Sequence, residues 1–166
     1  MTVTITASGT AIFGTDYTAL DQITISAGNT TGTITATLAN DSVYEGDETA
    51  ILDITGVSGG GATENGTQAV TVTLTDSLAA PTATLSASAS SVSEKASDLT
   101  LTATLNRSTY ETVTVTLSTS GTSTAGTDYA SLSPITISAG STTGTTAFNP
   151  TDDTLFENSE TAIIAI

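Results

Sequence analysis

The chain has 166 residues, of which 17 are acidic and only two, Lys95 and Arg107, are basic; with no His, the net charge is −15. Such a surface repels nucleic acid and anionic membranes and suits cations. Cys is absent, which excludes a disulfide framework and thiol chemistry, and no stretch is long and apolar enough to span a membrane.

Forty residues are Thr, and residues that favour helices, such as Lys, Arg, Gln and Met, are nearly absent. Thr and Val favour strands, so an all-β protein is expected. In chain order, alternating runs predict strands at 2–7, 22–26, 31–38, 49–54 and 69–75. Further runs predict strands at 82–87, 99–105, 112–118, 134–138, 143–148 and 161–166. In 70–74 and 113–117, Val and Leu alternate with Thr, which predicts one core face and one Thr-covered solvent face. Residues 77–81 end in Pro81, which cannot donate to a strand ladder, and form the expected boundary between domains 1–78 and 79–166. No basic region followed by an apolar core marks a signal peptide. Met1 enters directly into a strand-like run, so the start reads as a fragment boundary.

Residues 1–54 align with 113–166 without a gap, with 28 identities. Gly14-Thr15-Asp16-Tyr17 returns as Gly126-Thr127-Asp128-Tyr129, and 23–28 returns as 135–140. The period of 112 residues exceeds a solenoid repeat and matches one immunoglobulin-sized antiparallel sandwich per copy. In this register 82–112 has no counterpart before residue 1, and 55–81 has none after 166. Each copy is therefore expected to lack some strands. These come either from a longer chain or from neighbouring chains.

An acidic cluster shares the repeat. Asn40, Asp41, Glu45 and Glu48 return as Asp152, Asp153, Glu157 and Glu160. Calcium takes about 6–8 oxygen ligands, and acids at these offsets in a loop entering a strand can converge on one point. The Val43 or Leu155 carbonyl lies between them in sequence. Without a cation, convergence would raise the carboxylate pKa values. Magnesium fits less well, because it keeps waters and few protein ligands. The pattern is not an EF-hand.

Gly-Thr-Asp-Tyr, then Ile-x-Ile-x-Ala-Gly-x-x-x-Gly, then Asp-x-x-Tyr-Glu-Gly-Asp-Glu-Thr resembles the Calx-beta domain. The resemblance covers nearly the whole chain as two incomplete modules. It implies immunoglobulin-like sandwiches with calcium bound in loops at one end. It also implies further ligands: Glu94 after Ser-Val-Ser, Asp16 or Asp128, and Asp76 closing the last strand. Two departures stand out. Asn40 replaces an acid, and Asp76 stands alone where the family often has two or three.

Tyr17 and Tyr129 are expected to pack as lids on small cores. The Thr-x-Thr runs are ordinary polar strand faces and not an ice-binding array. Four Asn-x-Ser/Thr sequons, at Asn29, Asn40, Asn65 and Asn106, are expected from the Ser/Thr content alone. Lys95 is isolated, and the paired carboxylates have no aromatic platform for a sugar, so no enzyme is expected. The expected function is a calcium-binding structural module of a large, repetitive, secreted bacterial surface protein, adhesin or filament. Neighbouring copies of the module would be its partners, and Ca2+ would stiffen the junctions. The alternatives are a filament subunit completed by strand donation between chains and a regulatory calcium-sensor pair.

Overall fold

The computed structural model describes residues 1–18, 20–95 and 98–166. It is all-β, with antiparallel sheets and no helix among the described residues. The chain forms two units. Unit 1 holds Met1–Asp41 and Glu45–Ala79, and unit 2 holds Ser42–Tyr44 and Ala80–Ile166.

Unit 1 is built on one four-stranded sheet. Its strands are β1 (Thr2–Gly9), β2 (Gln22–Thr24), β3 (Glu48–Ser58) and β4 (Ala69–Leu74), in the order β2-β1-β3-β4. The small core gathers Ala11, Tyr17 and Ala50, with Leu74 packed against them. Tyr17 is 4% exposed and meets the Phe13 ring edge-on at 6.3 Å, so it does act as a lid.

Unit 2 contains β5 (Ala83–Ala87), β6 (Leu99–Leu105), β7 (Val113–Val115), β8 (Ser118–Gly121), β9 (Ile135–Ile137), β10 (Thr143–Phe148) and β11 (Ala162–Ala165). They pair as β10-β6-β5, β7-β9 and β8-β11. Leu101, Ala103 and Leu105 of β6 pack with Val115, Ile135 and Ile137 from the facing strands. This is the layered packing of a sandwich. Tyr129 closes this core by stacking on Phe148 at 4.7 Å.

Three strand expectations change. First, 31–38 forms no strand; only Leu38 makes an isolated bridge, to Tyr17. Its counterpart β10 takes all six of its pairings from β6. Among the described residues, no strand of unit 1 pairs with 31–38 as β6 pairs with β10.

Second, 112–118 divides into β7 and β8. The division falls at the position equivalent to the β-bulge between Thr4 and Ile5 of β1. In unit 1, β3 runs on to Ser58 and pairs across the kink.

Third, the apolar face of β4 is uncovered, with Val70 61% and Val72 44% exposed. Alternation correctly predicts which face is apolar, but burial requires a facing layer.

One backbone constraint positions the acidic loop. Gly9 ends β1 at φ 113°, and a Cβ there would stand 2.1 Å from the Thr49 carbonyl oxygen. Gly121 repeats this against Thr161, also at 2.1 Å. The close approach pins the chain next to Glu48 and Glu160. The Thr10 hydroxyl then accepts the Thr49 N–H at 2.8 Å, and Thr122 does the same for Thr161 at 2.9 Å.

The two copies contain the same isoleucines in different surroundings. Ile135 and Ile137 are 0% exposed, whereas Ile23 and Ile25 are half-buried. Ile135→Ala should destabilise unit 2 by about 2–5 kcal/mol, whereas Ile23→Ala should cost clearly less in unit 1. Urea unfolding of the two variants checks this.

Candidate metal centre

In unit 1 the Gly-Thr-Asp-Tyr turn is closed by its own aspartate. Asp16 Oδ2 accepts the Ile12 N–H at 2.5 Å, and the Gly14 N–H is donated to the Tyr17 carbonyl at 2.9 Å. This buries Asp16 to 8% exposure. The acidic loop arrives from the other side, ending at Glu48, the first residue of β3. Asp16, Glu45 and Glu48 each present a carboxylate oxygen within 4.8 Å of the other two.

The electrostatics show how crowded this is. Glu48 is pushed up from 4.5 to about 7, first by burial, then by a hydrogen bond to Asp16 and by the charges of Asp16, Glu45 and Asp76. Glu45 is also raised, by burial and then by Asp16, Asp41 and Asp76. Unit 1 contains no Lys, Arg or His side chain to offset this, since Lys95 and Arg107 both lie in unit 2. An all-oxygen, anionic and uncompensated donor set fits a hard divalent cation such as calcium.

The remaining expected ligands of unit 1 are placed differently. Asp76 Oδ2 accepts the N–H groups of Glu45 (2.7 Å) and Gly46 (3.0 Å), and its Oδ1 accepts Leu78 N–H at 2.7 Å. It holds the loop in place and adds its charge to the cluster. Asn40 Oδ1 accepts the Ser77 hydroxyl at 3.1 Å. Asp41 contributes charge beside Glu45.

Asp47 was not expected in the site. Its Oδ1 accepts the Asp76 N–H at 3.2 Å, returning the bond from the loop to the end of β4. Its counterpart Ser159 is not acidic, so the repeat pattern could not single it out.

Unit 2 assembles a looser set. Asp128 Oδ2 accepts Thr124 N–H at 2.6 Å, repeating the turn of Asp16. Glu94, Asp128, Glu157 and Glu160 line one open cleft, whose wall includes Leu101, Tyr129 and Phe148. Glu160 is raised, first by desolvation, then by a hydrogen bond to Asp128 and by the charges of Asp128, Glu157 and Glu94. Glu157 is raised, first by desolvation, then by Asp128, Asp153 and Glu94. Asp153 Oδ1 accepts the Leu155 N–H at 2.7 Å. Asp152 is exposed and contributes to neither shift. Among the described residues, only the unit 1 triad brings three carboxylate oxygens within 4.8 Å of one another.

Asp76→Ala should release the loop. Removing a charged acceptor of three backbone donors is expected to cost about 2 kcal/mol. It should also speed amide exchange at Glu45, Gly46 and Leu78, as read by NMR.

Comparison with protein families gives one result: the Calx-beta domain matches twice, over residues 2–78 and 76–166. No curated protein and no solved structure matches the chain. Calx-beta domains are non-catalytic immunoglobulin-like sandwiches that typically bind Ca2+. The match spans nearly all of the sequence, and the acidic triad sits in the loops joined by the repeated motifs. The chain belongs to the Calx-beta family, as two tandem domains.

Proposed function

We propose that the chain is a calcium-binding structural module of a large, repetitive extracellular protein, such as a bacterial adhesin or filament, with further copies of the module as its neighbours. The observation that carries this reading is the convergence of Asp16, Glu45 and Glu48 in a unit with no basic side chain. Such an arrangement repels itself at neutral pH, and a divalent cation relieves the repulsion.

Asp16, Glu45 and Glu48 would hold the ion in unit 1, with Asp41 and Asp76 adding negative potential. Bound calcium supplies charge neutralisation and ties the acidic loop to the Asp16 turn. Asp76 carries that order into the following segment, because the carboxylate that bonds the loop also bonds Leu78 N–H. The link supports a role in stiffening the junction with the next module. Unit 2 would use Glu94, Asp128, Glu157 and Glu160, from a more open and weaker site. Extracellular calcium modules bind at roughly 10⁻⁴–10⁻³ M, which suits millimolar calcium outside cells.

Melting with calcium and with a chelator tests the reading. At about ten times a dissociation constant of roughly 10⁻⁴ M, binding adds about 1.4 kcal/mol of stability. That corresponds to a rise of about 5–10 °C in Tm for a domain this small. Glu48→Gln should raise the Tm in chelator at pH 7.5, by removing repulsion, and abolish most of the calcium-induced rise. A wild-type Tm that ignores calcium would sink the proposal.

The pH dependence follows from the raised carboxylates. Glu48 has a folded pKa of about 7, above its unfolded 4.5, so between these values the folded state binds more protons. Metal-free stability is therefore highest below pH 4.5, as far as this group is concerned, and falls as pH rises to about 7. Calcium competes with that proton. In calorimetry near pH 6, calcium binding should release protons, seen as a buffer-dependent heat, and affinity should weaken as pH falls below about 7.

A further inference from the structure

The loop 59–68 joins β3 to β4 at the end of the sheet away from the acidic triad. Glu48 opens β3 and pairs with Leu74 at the end of β4, whereas Ser58 closes β3. At about 3.3 Å per residue, the strand separates its two ends by roughly 30 Å. The loop contains Asn65-Gly66.

An asparagine side chain can be attacked by the amide nitrogen of the residue that follows it. The attacking N–H must be free to lose its proton, the side-chain amide must be free to swing towards it, and the following residue must not crowd the ring that forms. Asn65-Gly66 meets all three conditions. Among the described residues, no group accepts the Gly66 N–H. Asn65 is exposed and its side chain makes no hydrogen bond among them. The bond at this residue is to its main-chain carbonyl, from Gln68 Nε2 at 2.9 Å. Gly66 stands at φ 71°, and nothing lies within 4 Å of the place a Cβ would take.

The other five asparagines fail at least one condition. Asn29, Asn40, Asn106 and Asn158 precede Thr30, Asp41, Arg107 and Ser159, whose Cβ atoms crowd the ring. Asn149 precedes Pro150, which has no N–H to attack with. The Oδ1 atoms of Asn40 and Asn106 are also engaged, by the Ser77 hydroxyl at 3.1 Å and the Thr82 N–H at 2.9 Å.

We propose that Asn65 is a site of spontaneous covalent modification, converting to aspartate and isoaspartate as the protein ages. The Gly66 nitrogen loses its proton and bonds to Asn65 Cγ. The Cγ–Nδ2 bond breaks, and Nδ2 leaves as ammonia with that proton. Water then opens the resulting succinimide. Opening at Cγ gives aspartate, and opening at the main-chain carbonyl gives isoaspartate, whose backbone runs through the former side chain. Water is the only co-reactant. Either product adds a negative charge next to Glu64, whose Oε1 accepts the Gln68 N–H at 3.1 Å. Isoaspartate also lengthens the main chain of the loop by a methylene. The change falls on the closure of the hairpin, where the Gln68 carbonyl accepts the Ile54 N–H at 3.1 Å.

The test ages the 166-residue chain in mildly alkaline buffer and locates the modification by tandem mass spectrometry. Isoaspartate is counted separately, by methyl transfer from S-adenosylmethionine with an isoaspartyl carboxyl methyltransferase as reagent. Asn65 should be the first asparagine to convert, and it should convert faster as pH rises, because the attacking nitrogen must lose its proton. Gly66→Ala should slow the conversion by about tenfold or more, and Asn65→Gln, which would have to close a larger ring, should do the same. A melting curve of each variant checks that it folds. The rate should be equal in calcium and in chelator, so the outcome is independent of the calcium reading. First conversion at another asparagine would overturn the proposal. So would reaction at Asn65 more than about tenfold slower in the folded chain than in urea.

Discussion

The approach of Asp16 to Glu45 and Glu48 is the constraint on which the functional end of unit 1 depends. Three like charges within 4.8 Å repel, and here no basic side chain shares the unit. The fold tolerates this because backbone geometry, not charge, brings the acids together. Asp16 is locked into its own turn through Ile12 N–H. Glu48 is fixed by the Gly9–Thr49 approach and by the Thr10 hydroxyl. Glu45 is held through its N–H on Asp76. The repulsion therefore appears as raised pKa values and not as separation. A site arranged in this way is set up for a cation before one arrives.

The second acidic set is arranged differently. Unit 2 repeats the aspartate turn and the Gly121–Thr161 approach. Ser159 stands where Asp47 does, so the carboxylate that accepts the Asp76 N–H in unit 1 has no acidic equivalent in unit 2. Residues 151–161 are exposed throughout. Glu157 and Glu160 still sense Asp128 and Glu94, but around an open cleft and not within a tight triad. The same carboxylates at the same spacing thus form a close triad in unit 1 and line an open cleft in unit 2.

Much of the fold was legible because strand alternation is a local signal. The runs at 99–105 and 143–148 coincide with β6 and β10. The run at 31–38 has the same chemistry but is no strand, because a ladder is a property of two segments and alternation describes only one. Val70 and Val72 make a similar point: period two identifies an apolar face but not whether anything covers it. Asp47 was invisible because it acts through one hydrogen bond to Asp76, 29 residues away, and the other copy does not repeat it.

The sequence by itself determined the β class, the 112-residue repeat, the family and the acids available for a cation. These are written in composition, periodicity and repeated motifs, all of which are read along the chain. Only the tertiary structure decided that Asp16, Glu45 and Glu48 converge, while Asp76 turns to backbone N–H groups and Asn40 to Ser77. That choice depends on which donors and carbonyls lie within about 3 Å across different strands. Spacing along one strand does not carry that information.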